Sequence, residues 1–382
     1  MLESLPIVEV LFFALTIISS IVYVILLSRI MDGWDDTPEW DIPKNYVGRT
    51  HVSIVIAARN EENNILNCLK SILRCNYPKS SYEIIVVDDH SSDNTNKLVT
   101  DLNHPSITIL QLKEKEGKKS ALEKGIHSAK GELILCTDAD CLVPENWITA
   151  FSSFYEKTGA KCIAAPIIYD VNKSILQRFQ YLDALNNMCV TANGIKKQSY
   201  YMANGANLGF TKSSFVELDG YEGNKNYASG DDMFLIQKIA QTYPGGVSFL
   251  KSRDTLVTTL PEKTFSDLVK QRTRWATKSK AYLNPDISKI QGFVFYFVLM
   301  ILLNLVLSPL GTGLSLFGFM FSLFIKWTMD YLYLNKLADY FGEREPLKAF
   351  FPASLGFMFY ILFAGFKALR PTKYEWKGRQ TA

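Results

Sequence analysis

The length of its uncharged segments is the strongest constraint on how this chain can fold. Residues 6–28 are apolar apart from Glu9, and residues 292–325 contain no charged residue. A helix needs about 20 apolar residues to cross a bilayer, so the first segment predicts one membrane-spanning helix. The second segment is too long for one upright helix, and Pro309 near its middle predicts a helical hairpin. A third apolar segment follows at residues 349–364.

The charges beside the first segment predict its orientation. Arg29, Lys44 and Arg49 follow it, and positive residues are enriched on the cytoplasmic side of membrane helices. Residues 1–30 have no Lys or Arg ahead of the apolar run and no small-residue cleavage site, which favours a retained transmembrane helix over a signal peptide. We therefore expect an integral protein of the inner membrane whose next domain is cytoplasmic.

The C-terminal third, residues 290–370, is predicted to contain two or three spans. Basic residues follow from Lys367 onwards, and three spans would put them outside, whereas positive charge favours the inside. One segment is then expected to be re-entrant or interfacial. Residues 331–340 mix aromatic and charged side chains, which predicts a helix lying on the membrane surface.

The charge balance excludes nucleic acid as an expected partner. The chain has 41 Lys and Arg residues against 38 Asp and Glu residues, a formal net charge of +3. So small a net charge gives no general attraction for polyanions, and any anion site must be local. The six cysteines have neither C-x-x-C spacing nor a nearby His in zinc spacing, which fits reduced thiols in the cytosol. The sequence indicates no oligomeric state.

The central region repeats a pattern of apolar strand, polar loop and amphipathic helix. Residues 52–58 read VSIVIAA, and apolar residues at helical spacing follow them. The same pattern recurs with strands at residues 83–87, 107–112 and 133–137. Strands that alternate with helices form a mainly parallel sheet with helices on both faces. We therefore predict an α/β domain over residues 45–284.

Acidic and polar residues follow these strands directly. In open α/β sheets, ligands bind beyond the carboxyl ends of the strands, where loops that are distant in sequence meet. The residues at these strand ends are therefore expected to form one site. They are Arg59, Glu61, Asp88, Asp89, Asp138 and Asp140.

The Asp138-Ala139-Asp140 motif predicts a metal site. One carboxylate can bind Mg²⁺ or Mn²⁺ while the other accepts a hydrogen bond from a ribose hydroxyl. Such a cation completes its coordination shell with waters and substrate phosphates, which a nucleoside diphosphate supplies. The alternative interpretation is a solvated turn after a strand.

Two predicted helix starts carry further candidates. Gly117 and Lys118 begin one helix, where backbone N–H groups and a cation can meet a phosphate; a solvated charged loop is the alternative. Asp231 and Asp232 begin another helix, where carboxylates can simply cap the helix dipole. Asp232 can also take a proton from an acceptor hydroxyl if it lies within hydrogen-bond reach.

Taken together, these motifs resemble those of the membrane-bound family 2 glycosyltransferases of GT-A fold. The resemblance covers residues 52–284, with Glu123 where the family usually has Asn and Asp231 where it usually has Glu. The matching segments are residues 57–61 (AARNE), 86–95 (VVDDHSSDNT), 117–125 (GKKSALEKG), 138–140 (DAD), 205–207 (GAN), 230–232 (GDD) and 271–275 (QRTRW).

The resemblance implies a Rossmann-like GT-A domain, an inverting sugar transfer and a role for each matching residue. A nucleotide-diphosphate sugar, with a UDP-sugar favoured, is expected to contact Ala57, Arg59, Glu61, Asp88, Asp89, Lys118, Asp138, Arg272 and Arg274. Asp140 and Asp138 are expected to hold the metal. The acceptor is expected near Gly205, Asn207, Gln271 and Trp275, and the catalytic residues are Asp232 as base with Asp231 and Arg274. Trp275 can equally be an interfacial aromatic residue.

The acceptor is expected to be a lipid or a lipid-linked glycan of the cell envelope. Residues 263–283 mix apolar and basic side chains, which predicts an interfacial helix on anionic headgroups, and residues 175–190 predict a second one. A single transfer to such an acceptor is the preferred function. The alternatives are a processive polysaccharide synthase and, from another class, a non-catalytic membrane scaffold with a GT-A-like domain.

Overall fold

The computed structural model describes residues 5–114, 116–171, 174–222, 230–276, 285–310, 313–368, 374–376 and 379–381. The helices are α1 (Leu5–Asp36), α2 (Ile65–Leu73), α3 (Thr95–Asp101), α4 (Lys118–Ser128), α5 (Trp147–Thr158), α6 (Ile175–Lys196), α7 (Lys212–Glu217), α8 (Asp231–Thr242), α9 (Phe265–Ala276), α10 (Pro285–Leu307), α11 (Leu314–Phe341) and α12 (Phe350–Ala368). The strands are β1 (Val52–Ala58), β2 (Tyr82–Asp88), β3 (Ile107–Gln111), β4 (Leu133–Cys136), β5 (Cys162–Ala164), β6 (Ile167–Tyr169), β7 (Leu208–Thr211), β8 (Val247–Phe249), β9 (Val257–Thr259), β10 (Tyr374–Trp376) and β11 (Arg379–Thr381).

Within these residues, seven strands form one mixed sheet in the order β3-β2-β1-β4-β7-β5-β8. The pairs β1–β2, β1–β4, β2–β3 and β5–β8 are parallel, whereas β7 runs antiparallel to both β4 and β5. A separate parallel pair joins β6 to β9, and β10 and β11 pair in antiparallel fashion. The predicted mixed, mainly parallel α/β sheet is confirmed.

Helices cover both faces of the sheet because its central strands are apolar on both sides. Successive side chains of β1 point to opposite faces. Ile54 belongs to the core that includes Ile65 of α2 and Trp147 of α5, whereas Val55 belongs to the core that includes Ala121 of α4. Full burial of such a side chain stabilises the fold by about 1.5–3 kcal/mol.

The register of the parallel strands brings their carboxyl ends to one edge of the sheet. Ala58 at the end of β1 is paired with Asp88 at the end of β2, and Val55 is paired with Cys136 at the end of β4. The loops that follow β1, β2 and β4 therefore leave the sheet side by side.

In the described parts of the chain, three helical segments are long and apolar enough to cross a membrane by length and composition. They are Ile7–Asp36, Asp286–Leu307 and Glu345–Lys367. Helix α11 runs parallel to α1: Glu9 accepts a hydrogen bond from the Ser315 N–H at 3.1 Å near the start of both helices, and Asp35 and Lys336 form an ion pair near their ends.

Residues 331–340 do not form a separate surface-lying helix, and that expectation was wrong. They are the second half of α11, which continues from Leu314 to Phe341 without a break. Tyr333, Leu337 and Ala338 are buried, and α11 packs against both α1 and α6. The aromatic and charged composition therefore reflects a helix that faces protein on one side.

Helix α12 runs across the helix bundle rather than along it. Tyr23 of α1 contacts both Phe297 of α10 and Asp330 of α11, so these residues lie at one level of the bundle. Helix α12 begins with Phe350 beside Tyr331 of α11 and ends with Phe366 beside Phe295 of α10. Both of its ends therefore lie near the same level, and its length also packs against α6 and α9.

Candidate active site

A cavity of about 910 Å³ opens at the carboxyl ends of β1 and β4. It extends from there past the start of α8 to the helix bundle. Almost all of the predicted site residues line it, and Asp88 and Asn207 are the two that do not. The lining members of the predicted set are Ala57, Arg59, Glu61, Asp89, Lys118, Asp138, Asp140, Gly205, Asp231, Asp232, Gln271, Arg272, Arg274 and Trp275.

The loops after β1 and β2 are joined by hydrogen bonds. The Glu61 N–H donates to Thr95 Oγ1 at 2.7 Å, and the Glu62 N–H donates to Asp93 Oδ2 at 3.0 Å. Asp93 Oδ1 also accepts from the Thr95 N–H at 3.0 Å at the start of α3. Arg59 Nη1 donates to the Asp89 carbonyl at 2.8 Å. One edge of the cavity is thereby fixed in shape.

The two adjacent aspartates after β2 have different positions. Asp89 lines the cavity, and both of its carboxylate oxygens accept from the Gly117 N–H at 3.1 Å. Asp88 is buried and accepts hydrogen bonds from the Ser91 N–H and the Asn96 side chain, at 3.1 and 3.4 Å. Asp88 therefore holds the turn, and Asp89, which is equally buried, is the member of the pair that lines the cavity.

The ammonium group of Lys118, at the start of α4, lies among the acidic residues of the site. Its Nζ lies 2.6 Å from Asp138 Oδ1. Burial alone would lower the pKa of this ammonium, but neighbouring carboxylates outweigh burial and hold the pKa above its ordinary value. The carboxylates responsible are those of Asp138, Asp231 and Asp232. Residues from the loop after β4 and from the start of α8, almost 100 positions apart in the chain, thus meet at one cation.

The surroundings of Asp138 and Asp140 suit a hard divalent cation. Both carboxylates line the cavity. Burial, reinforced by these two carboxylates, raises the pKa of the Cys68 and Cys141 thiols. Among the described residues, no group of three or more His, Cys, Asp or Glu residues could hold a metal. Two carboxylates suit a cation that takes its other ligands from phosphates and water.

Asp232 is held in the cavity by the loop that contains Gly205. Its Oδ2 accepts from the Gly205 N–H at 2.9 Å, and its Oδ1 accepts from the Met233 N–H at 2.7 Å. Gly230 precedes it with a φ of 88°, a left-handed conformation that glycine adopts without strain and that lets α8 begin at Asp231. Asp231 is buried, whereas Asp232 is partly exposed to the cavity.

Arg272 of α9 has a protein partner. Its guanidinium forms an ion pair with Asp183 of α6, and the two side chains are 2% and 8% exposed. The guanidinium also lies 4.2 Å from the Trp275 ring centroid and 5.8 Å from that of Tyr360 on α12. This arrangement joins α6, α9 and α12. Arg274, two positions along, also lines the cavity.

Two residues that were predicted to contact the acceptor substrate have side-chain amides that form hydrogen bonds within the protein. Asn207 is fully buried, its Nδ2 donates to the carbonyls of Pro166 and Thr255 at 2.7 Å, and its Oδ1 accepts from Trp147 Nε1 at 2.9 Å. The expected contact of Asn207 with an acceptor is therefore replaced by a structural role for its loop. Gln271 lines the cavity while its Nε2 donates to Glu262 Oε1 at 2.9 Å.

Part of the chain matches a known protein family. Residues 53–218 match the family model described as "Glycosyl transferase family 2". The chain carries a family 2 glycosyltransferase domain. Glycosyltransferase AglE of Haloferax volcanii is 26% identical over 225 residues, which cover 58% of this chain and 71% of AglE. The probable glycosyltransferase YdaM of Bacillus subtilis is 29% identical over 260 residues, 63% of this chain and 58% of YdaM. The predicted enzyme class, glycosyltransferase, is confirmed.

The fold of this glycosyltransferase has a solved counterpart over nearly its whole length. The mannosyltransferase PcManGT from Pyrobaculum calidifontis, solved in complex with GDP-Man and Mn²⁺, aligns with a TM-score of 0.55 at 18% sequence identity. The alignment covers 97% of this chain and 99% of that one. Similarity at this level of identity establishes the fold, and it confirms the predicted GT-A arrangement with flanking apolar helices.

The sequence reasoning missed three residues that the site of this glycosyltransferase contains. Asp183 pairs with Arg272, and Lys326 and Asp330 line the bundle end of the cavity. Asp183 is a single acid in a largely apolar helix, and Lys326 and Asp330 stand four positions apart between apolar stretches. Isolated charges in such segments are the signal that would have identified them.

The buried ion pair predicts a strong effect of Asp183→Asn on folding. The substitution leaves the Arg272 guanidinium buried without a charged partner, so the free energy of unfolding is expected to fall by about 3–5 kcal/mol. Thermal unfolding of the purified protein in one detergent measures this. The matched control is Asp36→Asn, which removes the exposed partner of Lys197, the residue directly after α6. Equal melting temperatures for the two variants would contradict a stabilising role for the buried pair.

Proposed function

We propose that this glycosyltransferase moves a sugar from a nucleotide-diphosphate sugar to a lipid or lipid-linked glycan acceptor at the cytoplasmic face of the inner membrane, with inversion at the anomeric carbon. One observation carries the proposal. A single cavity is lined by the aspartates of the predicted metal motif, by Asp232 and by residues of α1, α10, α11 and α12. A donor bound at the strand ends and an acceptor held among apolar helices would therefore meet beside Asp232.

The donor is assigned to the end of the cavity formed by the strand ends. Asp89 and Glu61 line it where a base and ribose would lie, and Arg274 offers a planar cation to the pyrophosphate. Asp140, with Asp138, would hold Mg²⁺ or Mn²⁺, which when bound acts as a Lewis acid toward the leaving phosphate. The complex of PcManGT with GDP-Man and Mn²⁺ supports this donor class. A uridine nucleotide remains our expected donor, with guanosine as the tested alternative.

The acceptor hydroxyl is assigned to Asp232. The carboxylate is fixed by the Gly205 and Met233 N–H groups, so it is oriented before the acceptor arrives, which lowers the cost of reaching the reactive geometry. It takes the hydroxyl proton as the acceptor oxygen attacks the anomeric carbon. A single base on the side opposite the leaving phosphate gives an in-line displacement and therefore inversion. Lys118 balances the negative charge that Asp138, Asp231 and Asp232 bring together.

The acceptor is proposed to reach this site along the membrane surface. Helices α6, α9 and α12 pack together, and each carries exposed apolar side chains, among them Ile175, Phe265 and Phe359. Such helices lie in the headgroup region with their apolar faces toward the acyl chains. In this topology α1, α10 and α11 cross the bilayer and α12 lies on its surface. The basic C-terminal residues are then cytoplasmic, in agreement with the positive-inside rule.

A processive synthase is the second candidate function. Gln271 and Trp275 of the QRTRW segment line the cavity, and the cavity continues into the helix bundle, as a growing chain would require. Poly-beta-1,6-N-acetyl-D-glucosamine synthase of Staphylococcus epidermidis is 35% identical, but only over 97 residues that cover 25% of this chain and 23% of that protein. In the described part of the chain three helical segments are long and apolar enough to cross a membrane, and so few favour the single transfer.

The deciding experiment is a donor screen with the purified protein in nanodiscs that contain total membrane lipid. Radiolabelled UDP-sugars and GDP-sugars are supplied with Mn²⁺ or Mg²⁺, and the lipid products are separated by size. A single labelled lipid species from one donor is the expected result, whereas a ladder of products identifies a processive synthase. Absence of both transfer and donor hydrolysis across the panel would contradict the proposed function.

A further inference from the structure

Three polar side chains form a compact cluster inside the helix bundle. Lys326 and Asp330 of α11 form an ion pair one helical turn apart, and their side chains are only 4% and 16% exposed. The hydroxyl of Tyr23 on α1 donates to Asp330 Oδ1, and Lys326 Nζ lies 5.7 Å from the Tyr23 ring centroid. We call Tyr23, Lys326 and Asp330 the bundle cluster.

The bundle cluster lies among apolar helices, at the level where α12 crosses the bundle. Tyr23 is toward the C-terminal end of the apolar segment at residues 6–28, and its ring centroid lies 4.5 Å from that of Phe297 of α10. Withdrawing two charges from water is costly, and replacing a buried ion pair by apolar side chains of similar size is often neutral or stabilising. The ion pair between Lys326 and Asp330 is therefore poorly explained by a contribution to the stability of the fold. Charged residues inside membrane helix bundles mostly line the route of a substrate or an ion.

The bundle cluster lines the same cavity as the catalytic residues. Tyr23, Lys326 and Asp330 border it together with Asp232 and Gly205. Helix α6 adds Asn186 and Asn187 to this lining, and α10 adds Ser288 and Gln291. A polar ligand extending from Asp232 toward the bundle would meet hydrogen-bonding groups along its way, whereas an alkyl chain would desolvate them without compensation.

The chemistry of the bundle cluster favours a neutral ligand rich in hydroxyl groups. A carboxylate offers about four acceptor positions, of which Tyr23 and Lys326 occupy one on each oxygen of Asp330. The remaining acceptor positions suit O–H donors. Lys326 and Asp330 cancel in charge, so a phosphate would gain from the ammonium but be repelled by the carboxylate. Saccharide hydroxyl groups fit this arrangement better than a lipid phosphate does.

We infer that the bundle cluster is a binding subsite for the saccharide part of a glycosylated acceptor, with Asp330 accepting hydrogen bonds from sugar hydroxyl groups. This inference rests on the proposed function, because it concerns the acceptor of that reaction. It assigns the protein to acceptors that already carry sugar. Hydrogen bonds to a carboxylate in a poorly hydrated site correspond to a change of about 10-fold or more in affinity.

The test uses the labelled glycolipid that the protein itself produces in the donor screen. This product is purified, and its dissociation constant is measured by equilibrium binding to the protein in nanodiscs. The same measurement is made with the lipid part of this product after all of its sugar has been removed. The parent is expected to bind the glycosylated lipid about 10-fold more tightly or better. The double variant Lys326→Met/Asp330→Leu is expected to lose this preference, and the single variant Asp330→Asn to weaken it.

The double variant removes both charges together, so no unpaired charge is left to unfold the protein. The matched control is Lys336→Met/Asp35→Leu, which removes the exposed ion pair between the same two helices outside the cavity; its preference is expected to equal the parent's. Equal preference in the parent and the Lys326→Met/Asp330→Leu variant would overturn the inference, as would displacement of the product by inorganic phosphate from the parent alone. A parent that forms no labelled product would instead refute the proposed function, and the subsite with it.

Discussion

Replacing Asp232 by asparagine is expected to lower kcat of sugar transfer by about 10²- to 10⁴-fold, the range that a positioned general base contributes. The asparagine side chain has the same size and keeps an oxygen that can accept from the Gly205 N–H, as Asp232 does at 2.9 Å. It cannot take a proton from the acceptor hydroxyl. The loss is therefore expected in kcat, while KM for the nucleotide sugar stays close to that of the parent.

Initial rates with the donor identified in the screen measure this effect. Asp232→Glu is a useful companion because it restores a carboxylate at a shifted position, and partial recovery of the rate supports proton transfer over a purely structural role. Asp101→Asn, an exposed carboxylate at the end of α3, controls for loss of one negative charge. A rate for Asp232→Asn within about threefold of the parent, far short of what a general base contributes, would show that another group accepts the proton.

The strands and the shared cavity followed from local sequence patterns. The β-branched run that predicted a strand at residues 52–58 coincides with β1 (Val52–Ala58). Parallel pairing then brings the ends of β1, β2 and β4 to one edge by geometry alone. For this reason Asp89, Asp138 and Asp140 could be expected in one cavity without knowledge of any long-range contact.

The directions of individual side chains did not follow from the motifs. Asp88 and Asp89 are neighbours of the same type, yet only Asp89 lines the cavity. Arg272 meets Asp183 because α6 and α9 both pack against α12, and no local pattern contains this contact between residues far apart in the chain. Asn207 shows the same limit, since its partners are backbone carbonyls brought close by the fold. A motif fixes which chemical groups are present, and tertiary packing decides which of them face the ligand.

The part of the cavity inside the helix bundle could not be predicted from hydropathy. Average apolarity identified the span segments, but it carries no information on which helix faces which. Residues 331–340 were expected on the membrane surface, whereas packing against α1 and α6 makes them part of α11. The hydrogen bond between Tyr23 and Asp330 joins residues that are 307 positions apart in the chain.

Replacing Asp140 by asparagine is expected to lower activity by about 10²- to 10³-fold, the loss typical when one electrostatic contact to a developing charge is removed. The reason is that the two carboxylates of the motif are expected to have different roles. The Lys118 ammonium lies 2.6 Å from Asp138 and competes with a cation for that carboxylate, and the family resemblance assigns the cation to Asp140, so we expect Asp140 to contribute more to cation binding. The Mn²⁺ concentration that gives half-maximal activity should therefore be higher for Asp140→Asn than for Asp138→Asn.

Thermal unfolding gives a second measurement that does not depend on turnover. A ligand present at 100 times its dissociation constant stabilises the folded state by about 2.7 kcal/mol, so Mn²⁺ with UDP or GDP should raise the melting temperature of the parent. The increase should be lost in Asp140→Asn and retained in Asp101→Asn, which removes a carboxylate remote from the cavity. If Asp140→Asn kept the full increase and the Mn²⁺ requirement of the parent, the cation would have to bind elsewhere. The acidic residues gathered around Lys118 would then serve to orient the acceptor and the base rather than the donor phosphates.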